Sequence, residues 1–203
     1  MIVPVATLIG IATVKLRGGQ FRRLAQLDLR HMWIVWVAII VQTLIFQIRL
    51  SFLTETVVEY VHMGTYVASF LFLWMNRHIP GALLIGLGAG SNAAAIFANG
   101  GVMPANANAC EKAGLPVVAE GQFENSNTDT EARLAFLGDI FWIPESWPLS
   151  NVFSIGDVVI VLAGTYLAHR VCTQPATSNA WPAPADEPRR ELEAPVGVGC
   201  PRV

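Results

Sequence analysis

The stretch Pro80–Pro104, PGALLIGLGAGSNAAAIFANGGVMP, decides the reading of this chain. It is apolar, long enough to cross a bilayer and rich in small residues, and it breaks at Asn99-Gly100-Gly101. Ala82, Gly86, Gly90, Ala94 and Ala98 recur at every fourth position and so lie along one drifting stripe of a helix. Small residues in such a stripe let a neighbouring helix come close, where dispersion and tight packing replace the hydrophobic drive that lipid cannot supply. Gly86, Gly90 and Ala94 are therefore the expected helix-packing residues. Gly88, Asn92, Ala95 and Asn99 form a second stripe, nearly opposite the first at about 100° per residue. A helix with packing residues on one side and amides on the other belongs at the centre of a bundle. Gly100-Gly101 end it, and Pro104 blocks an easy restart.

Outside this stretch the composition points the same way. The 203 residues are 53% hydrophobic and 14% charged, with mean hydropathy +0.48, whereas a soluble domain carries about 25% charged residues. The charges are segregated and leave several apolar windows, because a spanning segment must satisfy its backbone within itself. An all-α membrane protein is predicted, a bundle of about five transmembrane helices. Cys110, Cys172 and Cys200 form no CxxC or Cys/His cluster, so the sequence indicates neither a zinc site nor a disulfide framework.

The spans are expected at 1–16, 32–48, 61–75, 80–98 and 152–167, making residues 1–170 a transmembrane domain. The first is short, about 24 Å as a helix against about 30 Å of hydrocarbon. Its positive charges, Lys15, Arg17, Arg22, Arg23 and Arg30, follow the apolar run instead of preceding it, which argues against a signal peptide. The same charges place the N-terminus outside and the first loop in the cytoplasm. Phe21 to Arg30 could form a short amphipathic surface helix. Asn76-Arg77-His78-Ile79 reads as a tight inner turn, and His169 and Arg170 follow the last span on the same side.

Residues 99–151 form a long acidic outer loop. Within it TEARLAFLGDIFWI, Thr130 to Ile143, has too few apolar residues to span and is predicted to be a short interfacial or re-entrant helix. Residues 171–203, rich in Pro and mixed charge, read as a disordered cytoplasmic tail.

Three groups of residues carry a resemblance. They are Gly18-Gly19 with Leu24, Leu29-Arg30-His31 and Trp33; Asn99-Gly100-Gly101-Val102-Met103-Pro104; and Leu137-Gly138-Asp139 with Phe153-Ser154-Ile155-Gly156-Asp157-Val158. Together they resemble the bacterial membrane-protein family filed as domain of unknown function 5317, over roughly Met1 to Arg170. The resemblance implies the bacterial cytoplasmic membrane and the same topology, and it implies no activity.

Asn92, Asn99, Asp139 and Asp157 are the candidate ligand-binding residues. A carboxylate within a span costs about 2.5–3.5 kcal/mol at mid-bilayer and by default marks a functional site. Four oxygen-bearing side chains near the outer face could hold a cation, a proton or a polar headgroup. The competing structural reading has Asp139 and Asp157 capping helix N-termini while the asparagines hold helices together. Gln42 and Gln47 do not share a face and suit interhelical hydrogen bonds. His31, His78 and His169 sit at cytoplasmic ends without ligand spacing, so no metal is expected. Ser91 lacks the flanking glycines of a nucleophile elbow, and no HExxH, phosphate loop or dinucleotide fingerprint occurs.

Neither catalysis nor a cofactor is therefore expected, and the small basic loop is too slight for nucleic acid. The expected role is a non-enzymatic accessory or interaction subunit of a membrane assembly, partnered by the bilayer and by another membrane protein or a second copy. The alternative is a small transporter, or a ligand or ion sensor, using the Asn92/Asn99/Asp139/Asp157 cluster.

Overall fold

A computed structural model describes residues 2–45, 54–115, 126–127 and 132–173. The Gln47 position, the connection before Thr54 and the expected tail from 174 onward fall outside these residues; Val171 and Cys172, expected in the tail, instead end the last helix, with Thr173 after it. Six α-helices are present among them: α1 (Ile2–Ala12), α2 (Met32–Thr43), α3 (Glu55–Met75), α4 (Ala82–Ala98), α5 (Ala107–Lys112) and α6 (Ile155–Cys172). Short 3-10 turns cover Thr13–Arg17, Phe21–Gln26 and Ala135–Leu137. The strands are β1 (Met103–Pro104), β2 (Ser126–Asn127), β3 (Asp139–Ile143) and β4 (Asn151–Ser154).

The five longer helices lie side by side, each touching its neighbours in the order α2, α3, α4, α6, α1. Their directions follow from which residues meet. Gln42 of α2 bonds Thr65 of α3 at 2.8 Å, while Asn76 past the end of α3 meets Arg30 before α2, so these two helices are antiparallel. Gly86 and Gly90 of α4 face Leu73 and Phe70 of α3, again antiparallel. Gly81 lies against Leu167 and Gly88 against Ile160, so α6 also opposes α4. By contrast, α1 runs parallel to α6: Gly164 meets Thr7, and Val14 clusters with Ala168 and Cys172.

These directions gather Lys15, Arg17, Arg22, Arg23, Arg30, Arg77 and Arg170 at one end of the bundle. Glu59, Glu111, Asp139, Glu145 and Asp157 lie toward the other. At the basic end Phe21 and Leu24 of the 3-10 turn pack on the Val14, Ala168 and Cys172 cluster, and the Gln20 N–H donates to the Cys172 carbonyl at 3.1 Å. The expected surface helix is thus a 3-10 turn seated on α6.

The largest departure from expectation concerns residues 132–143. No re-entrant helix forms there; a 3-10 turn leads into β3, which pairs antiparallel with β4. In the register, Asp139 lies opposite Ser154 and Ile143 opposite Asn151, and the Phe141 and Phe153 rings stack at 5.4 Å. The β-branched and aromatic run Ile140-Phe141-Trp142-Ile143 suits a strand that has a partner to pair with. Strand β4 consumes residues 151–154, so α6 starts at Ile155 instead of Val152. Helix α3 likewise begins at Glu55, a full turn and more before the expected 61. The fold is therefore mostly helical with a small sheet capping one end.

Two helices are long and apolar enough to cross a membrane by length and composition, Thr56–Met75 and Ile155–Cys172. Only 11% and 28% of their apolar windows are buried within the fold.

Candidate functional site

The C-terminal end of α4 and the N-terminal end of α6 meet in a polar junction, and each helix end is shaped by its local sequence. Helix α4 closes with the amide of Gly101 donating to the Ile96 carbonyl at 2.9 Å across Gly100, whose φ of 68° is the left-handed conformation that glycine adopts without penalty. Helix α6 opens with a capping box. Ser154 Oγ accepts from the Asp157 N–H at 3.0 Å, and Asp157 Oδ2 accepts from the Ser154 N–H at 3.0 Å. Two of the orphan donors of a helix start are satisfied reciprocally in this way.

Asn92 of α4 closes the circuit. Its Nδ2 donates to Asp157 Oδ1 at 2.8 Å, and its Oδ1 accepts from Ser154 Oγ at 2.8 Å. Asn92 and Ser154 are buried, so the bonds form where water does not compete. Each carboxylate oxygen of Asp157 thus holds one donor, the Ser154 hydroxyl both gives and receives, and the Asn92 amide uses both ends. The arrangement needs the two helix backbones close together. Gly88 and Gly156 provide that: a Cβ on Gly88 would stand 2.6 Å from the Gly156 carbonyl oxygen, and one on Gly156 would collide with the Asn92 side chain.

Asn99 and Asp139 sit elsewhere at the same end. Asn99 follows α4, where its Nδ2 donates to the Ala95 carbonyl and to the Arg133 carbonyl, both at 2.7 Å, while its Oδ1 accepts from the Arg133 N–H at 2.8 Å. It fastens the connection before β3. Asp139 is buried and begins β3, so it does not stand at a helix start. Its carbonyl accepts from Asn106 N–H at 3.0 Å, and it bridges to Ala105. Of the four expected site residues the structure therefore joins Asn92 to Asp157 by a direct bond. Asp139 is linked to that pair through its register partner Ser154, and Asn99 bonds to Arg133 and Ala95.

Beyond the junction, α5 lies on the hairpin. Ala105, Ala109, Cys110, Ala113 and Val152 make a small core, Lys112 sits 4.2 Å over the Trp142 ring, and Ser150 Oγ donates to the Ala113 carbonyl. Burial, with the Asp139 carboxylate as a second cause, pushes the Cys110 thiol above its ordinary range. A neutral, enclosed thiol suits packing better than nucleophilic attack. Among the described residues no cluster of three His, Cys, Asp or Glu could hold a metal ion.

A Cβ added at Gly86 or Gly90 would meet Leu73 or Phe70 of α3 at ordinary contact distances of 3.8 and 3.7 Å, and Ala94 is exposed. The tightest approach of α4 is instead on the Gly88/Asn92 stripe. Two residues that sequence reasoning passed over prove central. Ser154 was legible as the first member of a Ser-x-x-Asp capping pattern. Asn76 was not: it is 1% exposed and clamps the backbone of Arg30, accepting from its N–H at 2.8 Å and donating to its carbonyl at 2.9 Å.

The geometry defines a class: a small helix bundle whose two most intimate helices are fastened by a polar circuit and capped by a hairpin. Gly138 abuts the Pro104 carbonyl and Asp139 pairs with Ser154, so two of the three motif groups behind the resemblance form one three-dimensional unit. The chain belongs to the family of unknown function DUF5317, whose sequence model matches residues 26–168. The match begins after Gly18-Gly19, so α1 and that motif lie outside it. No curated protein and no solved structure matches the chain at a significant level.

Proposed function

We propose that this protein spans the bacterial cytoplasmic membrane five times, through α1, α2, α3, α4 and α6, with its N-terminus outside and its C-terminus inside, and that it serves as a non-enzymatic interaction subunit of a membrane assembly. The observation that carries the membrane reading is an inverted distribution of side chains. Leu8, Ile9, Ile40, Leu71, Leu87 and Leu162 point outward, whereas His62, Thr65, Asn76, Asn92 and Ser154 are buried. Water would select the opposite pattern, and hydrocarbon selects this one. Exposed Trp33, Trp36 and Trp74 near the basic end and Trp142 and Trp147 near the other suit two headgroup belts. Gathering of the arginines at one end supports the orientation. Helix α1 with its 3-10 extension reaches about 26 Å, close to the hydrocarbon thickness.

The interaction role is supported by the closed bonding of Asn92, Ser154 and Asp157, which fastens helices and leaves the apolar outer faces as the surface on offer. The alternative, a transporter or sensor working through Asn92, Asn99, Asp139 and Asp157, requires that circuit to open. Reporter fusions after Val203 and within residues 116–125 are expected in opposite compartments; the same compartment for both would refute the topology. Purification in mild detergent is expected to recover a stoichiometric membrane-protein partner. An isolated chain whose transport or ligand response disappears in Asp157→Asn while the fold persists would favour the alternative.

A further inference from the structure

Between α3 and α4, on the side away from α6, lies an open groove of about 490 Å³. Its walls are Val67, Phe70, Leu71 and Trp74 from α3, and Leu83 with Gly86 from α4. It is apolar throughout, and the absence of a side chain at Gly86 keeps its floor open: a Cβ there would meet only the tip of Leu73, at 3.8 Å. The groove spans residues 67–74 of α3, about 10 Å along the helix axis, which is most of the roughly 15 Å depth of one leaflet.

The groove leads to the turn that joins the two helices at the basic end, and a cation stands at its mouth. Arg77 lies 4.8 Å over the ring of Trp74, itself a wall of the groove, and Arg77 Nη1 donates to the Trp74 carbonyl at 3.1 Å. The side chain is exposed, and no carboxylate among the described residues pairs with it. Its remaining guanidinium N–H groups are available in the forked geometry that suits a phosphate. Arg30, also exposed, is anchored to the same turn through the Asn76 clamp.

We propose that this groove is a specific site for one anionic phospholipid of the cytoplasmic leaflet, with an acyl chain laid between Phe70, Trp74 and Gly86 and its phosphate held by Arg77. The inference rests on the membrane reading above. Charge argues for lipid over a second copy of the chain. A parallel two-fold dimer through this groove would bring two basic ends together, Arg30 and Arg77 against their equivalents, and like charges at that distance repel. An anionic headgroup brings the complementary sign.

The test uses the full chain in mild detergent, with phosphatidylglycerol and phosphatidylcholine added in turn and binding read by native mass spectrometry and thermal unfolding. Phosphatidylglycerol should bind at one per chain and raise the melting temperature more than phosphatidylcholine does. Arg77→Ala should weaken phosphatidylglycerol about fivefold and leave phosphatidylcholine unchanged. Gly86→Leu, which fills the floor, should abolish retention of both. Arg170→Ala, a basic residue away from the groove, should change neither.

Equal binding of the two lipids, or no effect of Arg77→Ala and Gly86→Leu in variants with wild-type helicity, overturns the proposal. A dimer that Gly86→Leu dissociates overturns it in favour of a second copy as occupant. Carbonate washing of membranes separates the two levels of failure. A chain released by carbonate removes the membrane reading itself, whereas a chain that stays inserted but binds no lipid removes only this site.

Discussion

Toward α6, helix α4 presents Gly88 and Asn92 and leaves no room for even a methyl group; toward α3 it presents Gly86 and Gly90 and leaves a groove of about 490 Å³. Both faces carry glycine, so the presence of glycine does not distinguish them. What differs is the partner. Opposite Gly88 stands Gly156, another residue without a side chain, and the backbones come close enough for Asn92 to reach the start of α6. Opposite Gly86 and Gly90 stand Leu73 and Phe70, whose bulk holds the helices apart. A small residue permits close approach, and only a second small residue across the interface uses that permission.

This contrast is most directly broken at its tight side. Gly156→Ala puts a methyl group into the Asn92 side chain and against the Gly88 carbonyl and is expected to cost about 3 kcal/mol; Gly88→Ala, whose methyl group would press on the Gly156 carbonyl, is expected to cost about 2 kcal/mol. Equilibrium unfolding in detergent would read both. Losses below those of Gly86→Ala would mean that the α4–α6 seam is not the central contact.

Removing the polar circuit comes next. Asp157→Ala forfeits the reciprocal cap and the bond from Asn92, for an expected loss of about 1.5 kcal/mol, whereas Asp157→Asn keeps one carbonyl acceptor and loses about half of that. Similar values for the two variants would show that the carboxylate charge, not the pattern of acceptors, holds the junction.

The hairpin cap beyond the seam offers a pH test of its own. Because burial beside Asp139 raises the Cys110 thiol, folding favours its protonated form. That contribution is complete below the ordinary thiol range and is lost as pH rises through the elevated folded value. In a Cys172→Ser/Cys200→Ser background, maleimide labelling of Cys110 should be slow at pH 7 and accelerate only well into the alkaline range or on unfolding. Rapid labelling at pH 7 would place the thiol at the surface.

The smallest effect is expected on the loose side. Gly86→Ala adds a methyl group at ordinary contact distance from Leu73 and should change stability by no more than about 0.5 kcal/mol. A large loss there would mean that α3 and α4 are closer than they stand here.

A second pair of regions shows the same economy at both ends of the bundle. Asn76 follows α3 and Asn99 follows α4. Each donates to the carbonyl four residues before it, and each binds both backbone groups of a distant arginine, Arg30 and Arg133 respectively. One amide imitates a peptide group and completes a helix end while fastening a loop. Sequence inspection set Asn99 among ligand candidates and passed over Asn76, since nothing in either position's neighbours announces which loop will arrive there.

Several features were legible from the residues alone. Apolar windows with a basic side and an acidic side specify helices and their order, because backbone satisfaction and charge segregation are local properties of the chain. The stop at Asn99-Gly100-Gly101 and the Ser154-x-x-Asp157 cap are equally local. The tertiary structure decided what depends on distant partners. The run Ile140-Phe141-Trp142-Ile143 became a strand because β4 was there to pair with it, although its apolar content alone suited an interfacial helix. Likewise, the stripe Gly88, Asn92 became the tight seam because Gly156 and Ser154, some sixty residues away, arrived opposite it. Periodicity assigns a residue to a face of its helix; what that face meets is settled only when the chain has folded back on itself.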